Sequence, residues 1–470
     1  MGFCQTFDNV LPPTFRRWFG LVIAIFDVFV FGGFHYGFNS LIATFKSVEV
    51  FAYNCTPNRT CEYYEHMFGG VFLVWVVSQM CLIVLAGALM DKVGLRVSKL
   101  MAVVMYSAGN AMFAFTTGQT VPLFYAGGIL VALGSICSLI CNHQVSSMFP
   151  QFRGLCISLL SGAYDSSTVI AFVIGLTYEY FPFKWSFLIL ASGSVVVGTF
   201  IALFILTQKS EDMGKFSSLN KEDENLCEKI SVESSGELDV HGEISSVLDK
   251  RYPSLTSAIF SLPYLLINIW FTLGLFRFSF YLSHLSKHLN TMYAGNSELV
   301  KQLLSTSSLF FMCSFLLSPA TGLMIDFFLK RSRTSIKNML TTGRDSVSID
   351  KIYYTLTLGL VPGQILLGFV AVALSATMFI PHYIASYASF VIFVMLRSLI
   401  FSCFISFLLS AFPIRYFGTL NGISSAVSGL ICLSQNAFTG TSLLTDNITN
   451  TAISAAIIIA PTIFLIKSRQ

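Results

Sequence analysis

Charged side chains are scarce in this sequence. Asp, Glu, Lys and Arg make up 11% of its 470 residues, whereas they make up about 25% of a typical soluble domain. This scarcity excludes an ordinary soluble globular protein. The alternating strands of about 10 residues that build membrane barrels do not fit either, because the apolar runs are continuous and far longer. The sequence therefore predicts helices that span a membrane.

Motifs for the common chemistries are lacking as well. No GxxxxGK[ST] phosphate loop is present, so ATP hydrolysis through such a loop is excluded. No CxxC or His-rich spacing predicts a metal site, and no nucleophile stands with a base at workable spacing. We therefore expect no cofactor, no metal and no enzymatic activity. The net charge of +4 gives no reason to expect a nucleic-acid partner.

Apolar runs long enough to cross a bilayer recur along the whole chain. A helix of about 20 apolar residues spans the hydrocarbon core of about 30 Å. We predict an all-α polytopic membrane protein with 12 transmembrane helices in two six-helix bundles. The predicted spans are 18–43, 67–90, 98–117, 121–146, 155–179, 184–207, 258–284, 303–327, 353–378, 384–411, 418–440 and 448–466.

Basic residues are distributed unevenly across the predicted membrane. Loops on the N-terminal side hold 21 of the 28 Lys and Arg residues, and the opposite loops hold five. Because basic loops stay in the cytosol, both termini are predicted to be cytosolic. The first apolar run follows two arginines and lacks the exit site of a signal peptide, so we expect it to be the first transmembrane helix.

The predicted outer loops carry possible modification sites. Three N-x-[ST] sequons fall in them, at Asn54, Asn58 and Asn447, and predict glycosylation. Cys55 and Cys61 lie in one outer loop, where a disulfide bond and two free thiols are equal alternatives.

A charged, Ser-rich segment divides the chain. Residues 208–254 are nearly free of aromatic residues and predict a mobile cytosolic linker. We predict an N-terminal six-helix bundle over 1–207 and a C-terminal six-helix bundle over 255–470.

A motif recurs in the two halves. The sequence "GALMDKVGLR" after the second helix contains Gly87, Asp91, Lys92, Gly94 and Arg96, and "GLMIDFFLKR" after the eighth helix repeats the GxxxD spacing with Gly322 and Asp326. Glycine permits close helix approach and positive φ. The aspartate suits the capping of a neighbouring helix or pairing with adjacent basic residues. We interpret these residues as a cytosolic gate; the alternative is two helices that merely end in water.

The motif GxxxDK followed by GxR resembles the signature of the major facilitator superfamily, and the resemblance covers nearly the whole chain. "LLSGAYDSSTVIAF", "CNHQVSSMFPQFRG" and "VMLRSLIFSCFISFLLSAFPIRYFGTLNG" resemble solute carrier family 43, which comprises facilitators of large neutral amino acids and an equilibrative nucleobase transporter. The stretch GAYDSS is more similar to the nucleobase branch. The resemblance implies a monomeric plasma-membrane uniporter of a small neutral solute, with a nucleobase slightly favoured over an amino acid.

Ionisable residues at membrane depth mark candidate substrate contacts. Such residues cost several kcal/mol unless they face a cavity or a partner, and repeat-built transporters bind substrate near the midplane, between their halves. Asp27, Asp165 and Arg397 fall in the middle third of their predicted helices. Helical spacing adds polar neighbours, and aromatic residues beside them offer stacking surfaces for a planar base. The further candidates are Phe34, His35, Phe38, Asn39, Ser161, Ser166 and Trp270.

Several alternatives stay open from the sequence. Arg397 either binds substrate or forms an ion pair with Asp165 or Asp27. His35 is either a hydrogen-bonded core residue or a proton carrier, and Arg277 either reaches the outer surface or does not. A non-transporting receptor is the alternative to a transporter. In a receptor we would expect disrupted gate motifs, whereas both GxxxD copies are intact here, which favours transport.

Overall fold

The structure, a computed structural model, describes residues 11–47, 50, 61–214, 240–342, 348–438 and 441–467. Within these ranges every regular element is helical, which confirms the predicted all-α fold. Ten helices in them are long and apolar enough to cross a membrane, and the bent pair Glu298–Met312 and Ser314–Thr342 brings the number to 11. The predicted number of 12 is therefore not fully confirmed. The remaining predicted span, 98–117, corresponds to a helix of 20 residues, about 30 Å long, whose polar residues lower its hydropathy.

The helices are numbered in chain order. The N-terminal part contains α1 (Pro13–Phe31), α2 (Phe38–Ser47), α3 (Cys61–Val93), α4 (Leu95–Ala114), α5 (Val121–His143), α6 (Arg153–Ser166), α7 (Thr168–Thr177) and α8 (Phe183–Phe200). The C-terminal part contains α9 (Val240–Arg251), α10 (Leu255–Ile259), α11 (Leu262–Met292), α12 (Ser297–Met312), α13 (Ser314–Thr342), α14 (Ile349–Leu358), α15 (Val361–Thr377), α16 (Tyr383–Ala411), α17 (Phe417–Cys432), α18 (Leu443–Ala456) and α19 (Ile459–Lys467). Short 3-10 turns link several of them, as at Phe34–Gly37 between α1 and α2.

Packing divides the chain into two compact units. The first comprises Met1–Met148 and Ala163–Asn220, and the second comprises Phe149–Gly162 and Lys221–Gln470. Residues 149–162 thus pack with the second unit although they precede the predicted linker. Within that linker, Val240–Arg251 is helical, and α13 extends past the end of the predicted span 303–327 to Thr342.

Aromatic side chains form the core of the first unit. Phe38 contacts Trp75 with ring centroids 4.9 Å apart, and Phe45 contacts Phe124 at 4.6 Å. Phe34 is 1% exposed and Phe38 is 2% exposed. Both were predicted as cavity-lining residues, but here they pack among other rings. Burial of such large rings is a major stabilising contribution.

Small residues allow α4 and α5 to approach closely. A Cβ atom added at Gly109 would lie 2.6 Å from the carbonyl oxygen of Gly127, and one added at Gly134 would lie 2.6 Å from the backbone nitrogen of Tyr106. Contacts this short are not tolerated, so a larger residue at either glycine would push the two helices apart.

In the second unit, α11 begins at a local capping signal and packs along α17. The Ser261 side chain accepts a hydrogen bond from the backbone of Tyr264, and a proline lies in the first turn, both of which favour a helix start. The Tyr264 hydroxyl donates to the carbonyl of Leu420 at 2.8 Å. Further along, the hydroxyls of Thr272 and Ser428 lie 2.7 Å apart, so polar contacts join these helices at two levels.

Candidate substrate and gate sites

Two broken helices meet in the first unit. The first predicted span is interrupted after α1 by Gly32 and Gly33, and the fifth is interrupted at Ser167 between α6 and α7. A Cβ atom at Gly33 would lie 2.8 Å from the ring of Tyr164, and one at Gly37 would lie 2.9 Å from the carbonyl oxygen of Thr168. The sequence did not predict these breaks. Both breaks are local, because Pro13–Gly37 and Arg153–Thr177 each form one candidate membrane span, and Ser167 N–H still donates to the carbonyl of Ala163 at 3.0 Å.

A hydrogen-bond network lies beside the two breaks. His35 Nε2 lies 3.0 Å from Gln79 Oε1, and the Tyr36 hydroxyl donates to the same oxygen at 3.3 Å. Gln79 Nε2 donates to the Tyr164 hydroxyl at 3.3 Å, and Ser135 Oγ lies 3.3 Å from that hydroxyl. His35 and Gln79 are 1% and 0% exposed. We call His35, Tyr36, Gln79, Ser135 and Tyr164 the amide network.

The amide network includes one predicted substrate residue and several that sequence reasoning missed. Gln79 is a lone amide inside an otherwise apolar predicted span, which is the signal that should have singled it out. Because Oε1 of Gln79 is an acceptor, Nε2 of His35 donates to it. His35 Nδ1 is buried and has no hydrogen-bond partner within the described residues. This placement agrees with a hydrogen-bonded core histidine, one of the two predicted alternatives.

Asp27 forms a buried ion pair in the first unit. Lys99 Nζ lies 2.5 Å from Asp27 Oδ2, and the two side chains are 0% and 3% exposed, respectively. Asn142 Nδ2 and Ser138 Oγ also donate to this oxygen, at 2.7 and 3.1 Å. Sequence reasoning counted Lys99 with the basic loop and missed it as a partner. The carboxylate therefore has donors of its own, and its predicted role in substrate binding stays a prediction.

The other predicted polar candidates of helices 1 and 5 are located as follows. Asp165 and Ser166 end α6 next to its break and are 4% and 2% exposed, and Ser161 lies one turn earlier, also buried. Asn39 lies in α2, and its side chain is outside the described residues. The buried end of α6 also carries Tyr164 of the amide network, which directly precedes Asp165 in the chain.

Arg397 lies at the middle of α16 in the second unit. It is 7% exposed, and its guanidinium carbon lies 5.2 Å from the ring centroid of Phe278, within cation–π range. That ring stacks on Phe393 with centroids 5.2 Å apart. Trp270, predicted to line the cavity, is instead fully buried, and its Nε1 donates to the carbonyl oxygen of Gln364 at 3.2 Å. This contact makes Trp270 a packing residue here.

The first copy of the gate motif holds the end of another helix. Gly94 has φ of +108°, a conformation that favours glycine. A Cβ atom there would lie 2.5 Å from the carbonyl oxygen of Gln208, which accepts a hydrogen bond from Leu95 N–H at 2.9 Å. Arg96 Nε donates to the carbonyl of Leu206 at 2.9 Å. Unsatisfied carbonyls at the end of the sixth span are thus bound by the motif.

The remaining residues of this copy differ in exposure. Gly87 is buried within α3, Asp91 is half-buried, and Lys92 is exposed. Arg16 adds a second guanidinium to the same helix end, since its Nε and Nη2 donate to the carbonyl of Ile205 at 3.1 and 2.9 Å. Two arginines therefore neutralise the partial negative charge of that terminus.

The second copy of the motif caps α6. Asp326 Oδ1 accepts from Gly154 N–H at 2.7 Å, and Oδ2 accepts from Leu155 N–H at 2.8 Å. A Cβ atom at Gly322 would lie 2.5 Å from the Cα atom of Leu155, so glycine permits this approach. Arg333 supports the same turn by donating to the Pro150 carbonyl at 2.5 Å. The capping role predicted for the aspartate is therefore present in this copy.

The predicted modification sites fall mostly outside the described residues. Asn54, Asn58 and Cys55 lie there, as does the side chain of Cys61. Asn447 is described: it is 7% exposed, and its Nδ2 donates to the carbonyl of Met378 at 3.2 Å. Because Nδ2 is the atom that carries an N-linked glycan, this burial argues against glycosylation at Asn447.

Comparison with known protein families shows to which family the chain belongs. The model of the Major Facilitator Superfamily matches residues 28–434. The chain belongs to this superfamily. It is accordingly a multi-pass membrane transporter that acts on small-molecule substrates, and the matched residues include both GxxxD copies.

Individual relatives are more distant. The chain is 24% identical to equilibrative nucleobase transporter 1 of Bos taurus, with 88% of this chain and 87% of the relative covered. It is 21% identical to the large neutral amino acids transporter small subunit 3 of Homo sapiens, with 89% and 87% covered. Among solved structures, the E. coli fucose:proton symporter FucP has a TM-score of 0.55 at 12% identity, covering 96% of this chain and 99% of that chain. This last likeness shows a shared fold.

Proposed function

We propose that this transporter moves a nucleobase by facilitated uniport across the plasma membrane, with both termini in the cytosol. The observation that carries the proposal is the amide network beside the two helix breaks of the first unit. Its members are uncharged hydrogen-bonding groups except for the titratable imidazole of His35. A neutral network of this kind suits a neutral planar solute.

The chemistry of Gln79 matches the edge of a base. A glutamine amide offers an acceptor and two donors, and adenine presents an acceptor next to a donor on one edge, which an amide binds in a bidentate manner. The hydroxyls of Tyr36 and Tyr164 surround this amide and exchange hydrogen bonds with it. We infer that these contacts open to admit the base.

The charges nearby favour a base over a zwitterion. An amino acid brings an ammonium group that needs acceptors and a carboxylate that needs donors. In the first unit, Asp27 already accepts from Lys99, Asn142 and Ser138, which reduces its capacity to bind an ammonium. The slightly higher identity with the nucleobase transporter, 24% against 21%, supports the same order.

A large neutral amino acid is the second candidate cargo. Two buried charged residues favour it, because Arg397 offers a guanidinium for a carboxylate and Asp165 offers a carboxylate for an ammonium. The likeness to an amino acid transporter subunit supports it as well. A non-transporting nutrient receptor is a third candidate and differs from both by the absence of flux.

We infer further that the two GxxxD copies form the cytosolic gate. Asp326 caps α6 through two backbone N–H groups, and hydrogen bonds of this kind are readily broken and remade when a helix end moves. The first copy would act as the fixed support, because Gly94, Leu95 and Arg96 bind the end of the sixth span within one unit.

Uptake measurements test the proposed cargo and coupling. Cells that express the chain should accumulate labelled adenine faster than labelled leucine. In cells preloaded with labelled adenine, unlabelled adenine added outside should accelerate the efflux of the label. An imposed proton gradient should leave the initial rate unchanged. Faster uptake of leucine than of adenine would indicate an amino acid as the cargo. Dependence of the rate on the proton gradient would indicate proton coupling and contradict uniport. Absence of both fluxes at normal surface expression would favour a receptor.

Two substitutions at Arg397 test whether it binds substrate, which is one of the two alternatives that the sequence left open. Arg397→Ala should abolish uptake, whereas Arg397→Lys should retain a fraction, because the charge and the contact with Phe278 are partly kept. Surface labelling of intact cells measures expression of both variants and tests the location in the plasma membrane. Antibody access to tags at each terminus, before and after permeabilisation, tests whether both termini are cytosolic. Normal uptake by Arg397→Ala would remove this residue from the proposed site.

A further inference from the structure

A stripe of polar side chains follows one face of α11 in the second unit. Arg277, Tyr281, His284 and His288 are separated by four, three and four residues, which is the spacing of a single helix face. All four are buried, with exposed fractions of 1%, 1%, 8% and 5%. The sequence left open whether Arg277 reaches the outer surface, and its burial shows that it does not.

This stripe faces a small cavity formed by α11, α15 and α18. The cavity has a volume of about 20 Å³, enough for about one water molecule or one ion of similar size. Its polar lining includes Arg277, His284, Lys287, His288, Ser375 and Asp446. None of these residues belongs to the amide network or to the gate motifs, so the cavity is a separate feature of the second unit.

Arg277 has only weak partners in this cavity. Its Nε lies 3.3 Å from Ser454 Oγ and its Nη2 lies 3.4 Å from Ser375 Oγ, both long for hydrogen bonds to a cation. The ring centroid of Tyr281 is 5.9 Å from the guanidinium carbon. Across the described ranges, Arg277 forms no ion pair with a carboxylate. A buried guanidinium in this state lacks the counter-charge that normally accompanies it.

The acidic residue of the cavity already has a partner. Asp446 Oδ2 accepts from Lys287 Nζ at 2.9 Å, and its other oxygen accepts from the hydroxyl of Thr441. The charges of Lys287 and Asp446 therefore compensate each other, whereas the positive charge of Arg277 has no carboxylate beside it within the described residues. His288 adds a buried donor or acceptor, because its Nδ1 has no hydrogen-bond partner within the part of the chain that the structure describes.

We propose that this cavity binds a small monovalent anion, held by the guanidinium of Arg277. The imidazole of His288 lies in the same lining, and its unpartnered buried Nδ1 would add a neutral N–H donor, as N–H groups commonly do for buried anions. Chloride and a small carboxylate such as formate share the required charge and size. Gluconate carries the same charge but is too large and too strongly hydrated to enter.

Thermal unfolding of the purified full chain in detergent tests the proposal. Chloride and formate are each titrated against gluconate at constant ionic strength, and the melting temperature is followed by intrinsic fluorescence. Because an anion that binds the native state stabilises it, we expect a saturable rise with chloride, with formate, or with both. The responding anion identifies the ligand source. Equal melting temperatures in all three salts would overturn the proposal.

Arginine substitutions make the test specific. Arg277→Gln should abolish the rise, whereas the matched control Arg397→Gln, which removes another buried arginine of the same unit, should keep it. A full rise in Arg277→Gln, or its loss in both variants, would overturn the assignment. If Arg277→Gln does not fold, His288→Phe removes the imidazole donor of the cavity and should shift the midpoint of the titration severalfold upward, and an unchanged midpoint would count against the site.

Discussion

Lys99 and Asp27 form a buried ion pair whose nitrogen and oxygen lie 2.5 Å apart. Removing one partner leaves an uncompensated charge, which costs about 3–5 kcal/mol in buried pairs. We expect Asp27→Asn and Lys99→Met each to lower the thermal stability of the detergent-solubilised chain strongly. The double variant should be more stable than Lys99→Met alone, because no charge is left unpaired. Additive losses in this double-mutant cycle would contradict a direct pair.

The capping contact of Asp326 makes a second prediction. Asp326→Ala removes the acceptors for Gly154 and Leu155, and loss of a helix cap costs about 0.5–2 kcal/mol. We expect a lower melting temperature and a change in the ratio of inward to outward uptake rates. Asp350→Ala is the control, because that side chain is 69% exposed in a surface ion pair and should have little effect. Equal effects of the two substitutions would remove the special role of Asp326.

Gly94 and Gly295 offer a matched test of backbone and steric effects. Both have positive φ, at 108° and 95°, but only Gly94 has an atom near an added Cβ, the Gln208 carbonyl oxygen at 2.5 Å. Each substitution by alanine should cost about 1–2 kcal/mol for the left-handed conformation. Gly94→Ala should cost more in unfolding measurements and should reduce uptake, whereas Gly295→Ala should transport normally. Similar losses of uptake would exclude the steric explanation.

The amide network predicts graded losses of uptake. Gln79→Leu removes the group that joins His35, Tyr36 and Tyr164, so we expect uptake to fall at least about tenfold, the order of one or two lost hydrogen bonds. Tyr36→Phe removes only one donor to Gln79 Oε1 and should retain most of the activity. Initial rates normalised to surface expression provide the measurement. Wild-type rates in Gln79→Leu would exclude the network from the substrate site.

Most of the fold was predictable because hydropathy records burial in lipid directly. Long apolar runs identified the spans, and only the span containing Lys99 and Asn110 is too polar to meet the same standard. The breaks were not predicted, since Gly32, Gly33 and Ser167 stand inside predicted spans and glycine alone does not interrupt a membrane helix. The position of Tyr164, which packs against Gly33, becomes visible only in three dimensions.

The helix cap at Asp326 was predicted better than the aromatic candidates for the substrate site. Asp326 was expected to cap a helix, and the backbone bonds to Gly154 and Leu155 show such a cap. In contrast, Phe34, Phe38 and Trp270 were expected to line a cavity, but Phe34 and Phe38 pack against other rings and Trp270 is fully buried. Aromatic residues carry no sequence signal that separates packing from ligand contact when they are this abundant. Gln79 was missed because a single amide between apolar neighbours forms no motif.

The anchoring of Gln208 by Leu95 has a practical consequence for engineering the chain. The hydrogen bond between them fixes the backbone where the sixth span ends, and a short 3-10 turn at Ser210–Gly214 follows. We therefore expect that a sequence inserted after Gly214 does not distort the preceding helices. A fluorescent reporter inserted at that junction should leave adenine accumulation unaltered, whereas the same insertion between Val93 and Gly94 should eliminate it.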